Sequence, residues 1–125
     1  MTEAPCLDLQ RSDDVNAIAK RLETIEQNAG LRSIDIAQIM QTSQEKISRW
    51  KNGHAQPRRQ SEIFLLELAY ITDILSEFYE PQEARHFFLS PQKLLDGEKP
   101  ASLMQQGRYE QVLSLVKSVR DTVFL

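Results

Sequence analysis

Polar side chains able to recognise nucleic-acid bases are concentrated in the short segment 44–52, which holds only two apolar residues. Gln44 can form two hydrogen bonds with adenine, and Arg49, about one helical turn later, can do the same with O6 and N7 of guanine. Glu45 can accept a hydrogen bond from the amino group of cytosine. The segment therefore predicts a base-reading surface made of Gln44, Glu45 and Arg49.

Cations and polar groups around this segment have the chemistry to contact phosphate. Residues 31–60 carry six basic and two acidic side chains, whereas residues 1–30 and 61–125 have net charges of −3 and −4. Local positive charge attracts phosphate over about a Debye length, ~8–10 Å, even within an acidic protein. The predicted phosphate contacts are Ser33, Lys46, Lys51, Asn52, Arg58 and Arg59. The same pattern is equally consistent with an ordinary solvated surface helix.

Two helices before this segment must position it. Apolar residues spaced three or four apart predict a first helix from Asp13 that stops at Gly30. Ser33 is predicted to be the N-cap of a second helix that reaches Met40, with Asp35 in its first turn, where the helix dipole favours an acid. These helices supply the apolar surface on which the polar segment can dock.

The polar segment itself is predicted to be a third helix, from Gln44 to Asn52, that stops at Gly53 in a left-handed conformation. Two short helices joined by a three-residue turn, the second of them polar on its outer side, are typical of a helix-turn-helix. Trp50 is accordingly predicted to lie in the core and not to stack on bases.

The rest of the chain also has helical periodicity. Residues 61–79 are predicted to form the longest helix, and shorter helical segments follow at 83–89, 92–95 and 101–106, before a last helix at 109–119. The expected apolar face of the long helix comprises Ile63, Leu66, Leu68, Ile71, Leu75 and Phe78. No run alternates apolar and polar residues for long enough to predict a strand, so the predicted fold class is all-α.

Catalytic chemistry has little support in this sequence. The single cysteine, Cys6, lies in a segment without periodicity, residues 1–11, which we expect to be a mobile leader. His54 and His86 are far apart and belong to no metal-binding pattern, and no glycine-rich phosphate loop is present. We therefore predict a protein that is not an enzyme and that uses no metal and no cofactor.

The absence of a signal sequence and of a long apolar run predicts a cytoplasmic protein without membrane contact.

The segment Ser33–Gly53 resembles the helix-turn-helix of Xre/Cro-type phage repressors. Members of that family have an alanine where Ala37 stands, isoleucine or valine where Ile47 stands, and an ending that matches Trp50–Gly53. Gln41 departs from the family, which usually has glycine at this left-handed turn position, and the glutamine costs about 1 kcal/mol of backbone strain. The resemblance implies DNA binding, with two copies of the chain on two half-sites.

The C-terminal segment resembles the toxin-binding domain of MbcA/ParS/Xre-type antitoxins. The resemblance rests on the run Ala84–Pro91, on the turn Leu95–Pro100, and on Leu103, Met104, Gly107 and Val112. Phe88 stands where tryptophan is more usual. The implied organisation is a leader (1–11), a helix-turn-helix domain with a long linking helix (12–80) and a small helical toxin-binding domain (81–125).

Together the two resemblances imply an antitoxin of a type II toxin–antitoxin system. Such a protein neutralises a RES-type toxin that consumes NAD, or a related ADP-ribosylating enzyme, by covering its active site, and it represses the shared promoter. The surface expected to bind toxin comprises Tyr109, Val112, Val116, Arg120, Val123, Phe124 and Leu125, and residues 107–125 are expected to be removable without unfolding the first domain. Two alternatives stay open: a stand-alone dimeric repressor with a C-terminal dimerisation domain, and a protein-binding module that has lost DNA affinity.

Overall fold

The computed structural model describes residues 17–124, and these form seven α-helices and one short 3-10 helix with no strand. Residues 17–29 form α1. The other helices are α2 (Ser33–Met40), α3 (Gln44–Lys51), α4 (Arg59–Leu75), α5 (Pro81–Leu89), the 3-10 helix (Lys93–Leu95), α6 (Pro100–Gln105) and α7 (Tyr109–Val123). The predicted all-α class is confirmed. The leader and the predicted start of the first helix at Asp13 lie outside the described residues.

The turn between α2 and α3 adopts the predicted left-handed conformation. Gln41 has a φ of 57°, and Gly53 after α3 has a φ of 78°. The prediction for the start of α2 was wrong, because Arg32 and not Ser33 occupies the N-cap position. Asp35 explains the difference: its carboxylate accepts the backbone N–H of Arg32 at 3.0 Å and so satisfies the helix start from within the first turn.

The core face of α4 is narrower than the sequence suggested. Its buried side chains are Leu65, Leu68, Ile71, Thr72, Ile74 and Leu75. Ile63 and Leu66, both expected on the apolar face of this helix, are 45% and 50% exposed. The apolar residues of this helix form two stripes, and the core covers only one of them.

One apolar core spans the whole described chain. Buried residues of α1, α2, α3 and α4 belong to the same cluster as those of α5, α6 and α7. α7 packs along α4, and α6 packs on α2 as well as on α5 and α7. The predicted domain boundary near residue 80 therefore falls between helices that share this core.

Removal of residues 107–125 would take Val112, Leu115 and Val116 out of the shared core, where each is at most 6% exposed. Loss of one fully buried aliphatic side chain typically costs about 2–5 kcal/mol, so the loss of three costs about as much as the whole stability of a small domain, roughly 5–15 kcal/mol. The packing thus argues against the expectation that the first domain survives this deletion.

No helix within residues 17–124 combines the length and the apolar character needed to cross a membrane.

Candidate nucleic-acid and protein interfaces

Helix α3 presents almost all of its polar side chains to solvent. Ile47 and Trp50 are buried, at 0% and 6% exposure, and attach α3 to the core. The core position predicted for Trp50 is confirmed. α3 begins at Ser43, whose side chain accepts the backbone N–H of Lys46 at 3.2 Å. Two apolar anchors and a capped start hold α3 rigidly, with its polar face outward.

The three predicted base-reading side chains are all exposed on this face. Gln44, Glu45 and Arg49 lie in the first two turns of α3. Arg49 donates a hydrogen bond from Nη2 to Oε1 of Glu45 at 3.0 Å, and both side chains are more than half exposed. This exposed pair uses one of the five N–H donors of the guanidinium and one of the two carboxylate oxygens, so both side chains keep groups that can contact a base.

The predicted phosphate contacts fall into two groups. Lys46 and Arg58 line one concave surface together with Arg49, beside the loop that joins α3 to α4. Arg59 and Asn52 are exposed at the two ends of that loop region. These cations are concentrated beside the polar face of α3, as phosphate binding requires.

Lys51 and Ser33 form the second group, and both contact the same carboxylate. Lys51 Nζ lies 2.7 Å and 2.9 Å from the two carboxylate oxygens of Glu26 in α1, and Ser33 Oγ donates to Oε1 of Glu26 at 3.3 Å. Glu26 therefore neutralises a cation that was assigned to phosphate.

Sequence reasoning missed Arg32. Its side chain is 74% exposed at the start of α2, and it lines a surface depression together with Ser33 and Gln44. A cation at a helix N-terminus beside the base-reading helix has the chemistry of a phosphate contact. The sequence signal that could have identified Arg32 is its position within the basic segment 31–60.

The residues predicted to bind toxin divide into exposed and buried positions on α7. Val123 and Phe124 are 52% and 63% exposed, and Arg120 and Tyr109 are partly exposed. Val112 and Val116 have no exposed surface. The prediction that these two residues bind toxin was wrong, because they lie on the side of α7 that packs on α4. They cannot touch a partner while the protein is folded. Leu125 lies outside the described residues.

Electrostatics at the start of α7 differ from those at its end. Partial burial raises the pKa of the Tyr109 hydroxyl, and the nearby Glu67, Tyr70 and Glu110 add to the effect. Arg120 at the other end lies 3.9 Å from Glu77 and 3.6 Å from Asp121. The exposed apolar end of α7 thus adjoins an arginine that is paired with two carboxylates, whereas its start adjoins carboxylates without a paired cation among the groups that shift the Tyr109 pKa.

A second exposed apolar surface lies on α4. Ile63, Leu66 and Tyr70 are each 45–50% exposed and follow one another at helical spacing. Leu66 and Tyr70 also line a shallow groove against α1, beside Lys20 and Asp73. Contiguous apolar side chains of this kind mark interaction surfaces more often than isolated ones do.

Comparisons of the whole chain with known proteins point to a particular class of protein, although no protein-family model matches the chain. The mycobacterial cidal antitoxin MbcA of Mycobacterium bovis, and likewise that of Mycobacterium tuberculosis, is 32% identical over 111 residues, which cover 89% of this chain and 98% of the relative. A probable mycobacterial cidal antitoxin of M. tuberculosis is 28% identical over 96 residues, 77% of this chain and 82% of the relative.

The fold agrees with the sequence comparison. A chain in the crystal structure of the M. tuberculosis MbcT–MbcA toxin–antitoxin complex superimposes with a TM-score of 0.74 at 32% identity, covering 86% of this chain and 96% of that chain.

Proposed function

Because this chain belongs to the MbcA family and is an antitoxin of a toxin–antitoxin system, we propose that it inhibits a cognate toxin by covering the toxin's active site with the end of α7. The toxin is a RES-type enzyme that consumes NAD, or a related ADP-ribosylating enzyme. The chain also represses the shared promoter as a homodimer. The family relatives are antitoxins and not enzymes, which favours this role over that of a stand-alone repressor.

The observation that carries the toxin proposal is the exposed apolar pair at the end of α7. Val123 and Phe124 are adjacent, and each leaves more than half of its surface in water. Transfer of such side chains into a partner's cleft is favourable by roughly 25 cal/mol per Å² of apolar surface.

The variant Phe124→Ser tests this proposal without removing a helix. We expect it to fold normally, since Phe124 contributes little to the core, and to lose neutralisation when it is co-expressed with the neighbouring toxin gene. Leu94→Ser is the matched control, because Leu94 is 77% exposed but lies in the 3-10 helix and not on α7. Full neutralisation of the toxin by the Phe124 variant, or an equal loss of neutralisation in both variants, would refute the proposal that the end of α7 covers the toxin's active site.

The DNA proposal is supported by the exposed polar face of α3 and the cations beside it. Replacement of Arg49 by alanine should cost ~1–3 kcal/mol at the best operator and relax the preference at one base pair. Replacement of Lys46 by alanine should weaken binding to all sequences alike. It should also reduce the slope of log affinity against log salt by about one, the contribution of one phosphate contact. A DNA-binding assay over a range of salt concentrations separates the two effects. Unchanged operator affinity in Arg49→Ala would show that α3 does not read the groove as assigned.

The exposed α4 stripe is the proposed dimer interface. A second copy related by a two-fold axis would place Ile63, Leu66 and Tyr70 against the same residues of its partner, as a self-complementary interface requires. Two recognition helices would then meet two half-sites on one side of the DNA. Cytoplasmic localisation stays a prediction.

A further inference from the structure

An ion pair between a buried carboxylate and a partly exposed guanidinium joins helix α2, on which α3 docks, to the C-terminal part of the chain. Asp35 in α2 has a side chain that is only 9% exposed. Arg85 in α5 donates to both carboxylate oxygens of Asp35, at 3.2 Å and 3.3 Å from Nη2 and at 3.4 Å from Nε. The same carboxylate accepts the backbone N–H of Arg32 at the start of α2. One side chain therefore fixes both the beginning of α2 and its distance from α5.

Two further contacts tie α2 and its flanking loop to the same C-terminal helices. Nε2 of Gln105 in α6 donates to the backbone oxygen of Gln38 at 2.8 Å. Gly30, in the loop before α2, approaches the start of α5 so closely that a Cβ atom there would lie 3.1 Å from the carbonyl oxygen of Pro81. α2 is thus held at its start, along its length and through its preceding loop by residues beyond position 80.

We propose that Arg85 is a positioning residue for DNA reading: through Asp35 it sets the placement of α2 and hence of α3. This inference rests on the proposed DNA-binding function and extends it to a residue outside the helix-turn-helix. α2 packs directly on α3, so a displacement of α2 carries the base-reading side chains with it. No contact between Arg85 and DNA is required.

Loss of Arg85 affects base contacts and phosphate contacts differently. Without Arg85, the Asp35 carboxylate stays largely buried with only the exposed Arg32 side chain, 3.9 Å away, as its cation, and proteins relieve such a loss by shifting the group toward water. A bidentate contact between a side chain and a base tolerates little displacement, whereas a flexible lysine or arginine can still reach a phosphate. Arg85→Met should therefore lower the preference for the operator while leaving the affinity for unrelated DNA nearly unchanged.

The test measures the ratio of operator to non-operator affinity. The operator is a duplex selected by the wild-type protein from a pool of randomised sequences, and the competitor is the same duplex with its base sequence scrambled. We expect Arg85→Met to reduce the ratio roughly ten-fold, the effect of about one lost bidentate contact. Arg85→Lys, which retains the charge but not the forked geometry, should fall between wild type and Arg85→Met. Arg108→Met is the control, since it removes one exposed cation from the same part of the chain.

Amide hydrogen exchange provides a readout that does not depend on DNA. In Arg85→Met, or in Arg85→Lys if the methionine variant does not fold, the amides of α2 and α3 should lose protection while those of α4 and α7 keep it. Uniform loss of protection, or no loss, would overturn the positioning role, and so would an unchanged affinity ratio. A wild-type protein that selects no operator would instead refute the DNA-binding proposal, and the exchange pattern would still decide the role of Arg85.

Discussion

The ion pair between Glu26 and Lys51 limits the phosphate contacts available to the proposed DNA-binding surface. Both carboxylate oxygens of Glu26 lie within 2.9 Å of the lysine ammonium group. A lysine paired in this way releases no counterion from DNA, because its charge is already compensated. Glu26→Gln preserves the shape of the side chain and frees Lys51 for phosphate.

The size of the effect follows from counterion release. Each additional phosphate contact steepens the slope of log affinity against log salt by about 0.9. Between 50 mM and 200 mM salt, one such contact multiplies the factor by which affinity falls by about 3.5. The cost in folding stability should be small, about 0–1 kcal/mol, because the lysine and glutamate side chains are 40% and 22% exposed.

Fluorescence anisotropy with a labelled duplex, repeated over that salt range, measures the slope. Glu98→Gln is the control, because it changes the net charge equally at an exposed site in the loop before α6. Lys51→Ala in the Glu26→Gln background should restore the shallower slope. Equal slopes for wild type and Glu26→Gln, or an equal change in the Glu98 control, would refute the assignment of Lys51 to phosphate.

Three other predictions concern packing, titration and assembly. Gly30→Ala should lower the free energy of unfolding in urea by more than Gly107→Ala, because both have positive φ but only Gly30 approaches a carbonyl oxygen of α5. Partial burial, and secondarily Glu110, raises the pKa of Glu67 above 4.5, so stability falls as pH rises from that value through the folded pKa. Glu67→Gln should flatten this decline in the thermal midpoint. Leu66→Lys should convert a dimer to a monomer in sedimentation experiments, and the monomer should keep the helical circular dichroism of the wild type because Leu66 is half exposed.

Local patterns in the sequence were sufficient to predict the recognition helix. Ile47 and Trp50 are the only apolar residues of α3, so their spacing determined which face docks and left the polar side chains outside. Gln41 was correctly placed in the left-handed region, since the turn requires it whatever residue is present.

Periodicity did not distinguish a core face from a partner face. Val112 and Val116 follow one stripe of α7 and were assigned to a partner, although they are fully buried against the rest of the protein. On α4, Leu66 was assigned to the same apolar face as Leu68, although Leu68 is buried and Leu66 is half exposed. The link from Asp35 to Arg85 joins residues 50 positions apart, and no local signal in the sequence pairs them.

The shared core also constrains how this antitoxin is made in the cell. α2 completes its packing only when α6 is present, and α4 only when α7 is present. During synthesis, α3 therefore leaves the ribosome well before the helices that complete the packing of α2, on which it docks. A nascent chain stalled before residue 100 would lack both the finished support of α3 and the whole of α7, so the proposed DNA-binding and toxin-binding surfaces should form together at the end of translation.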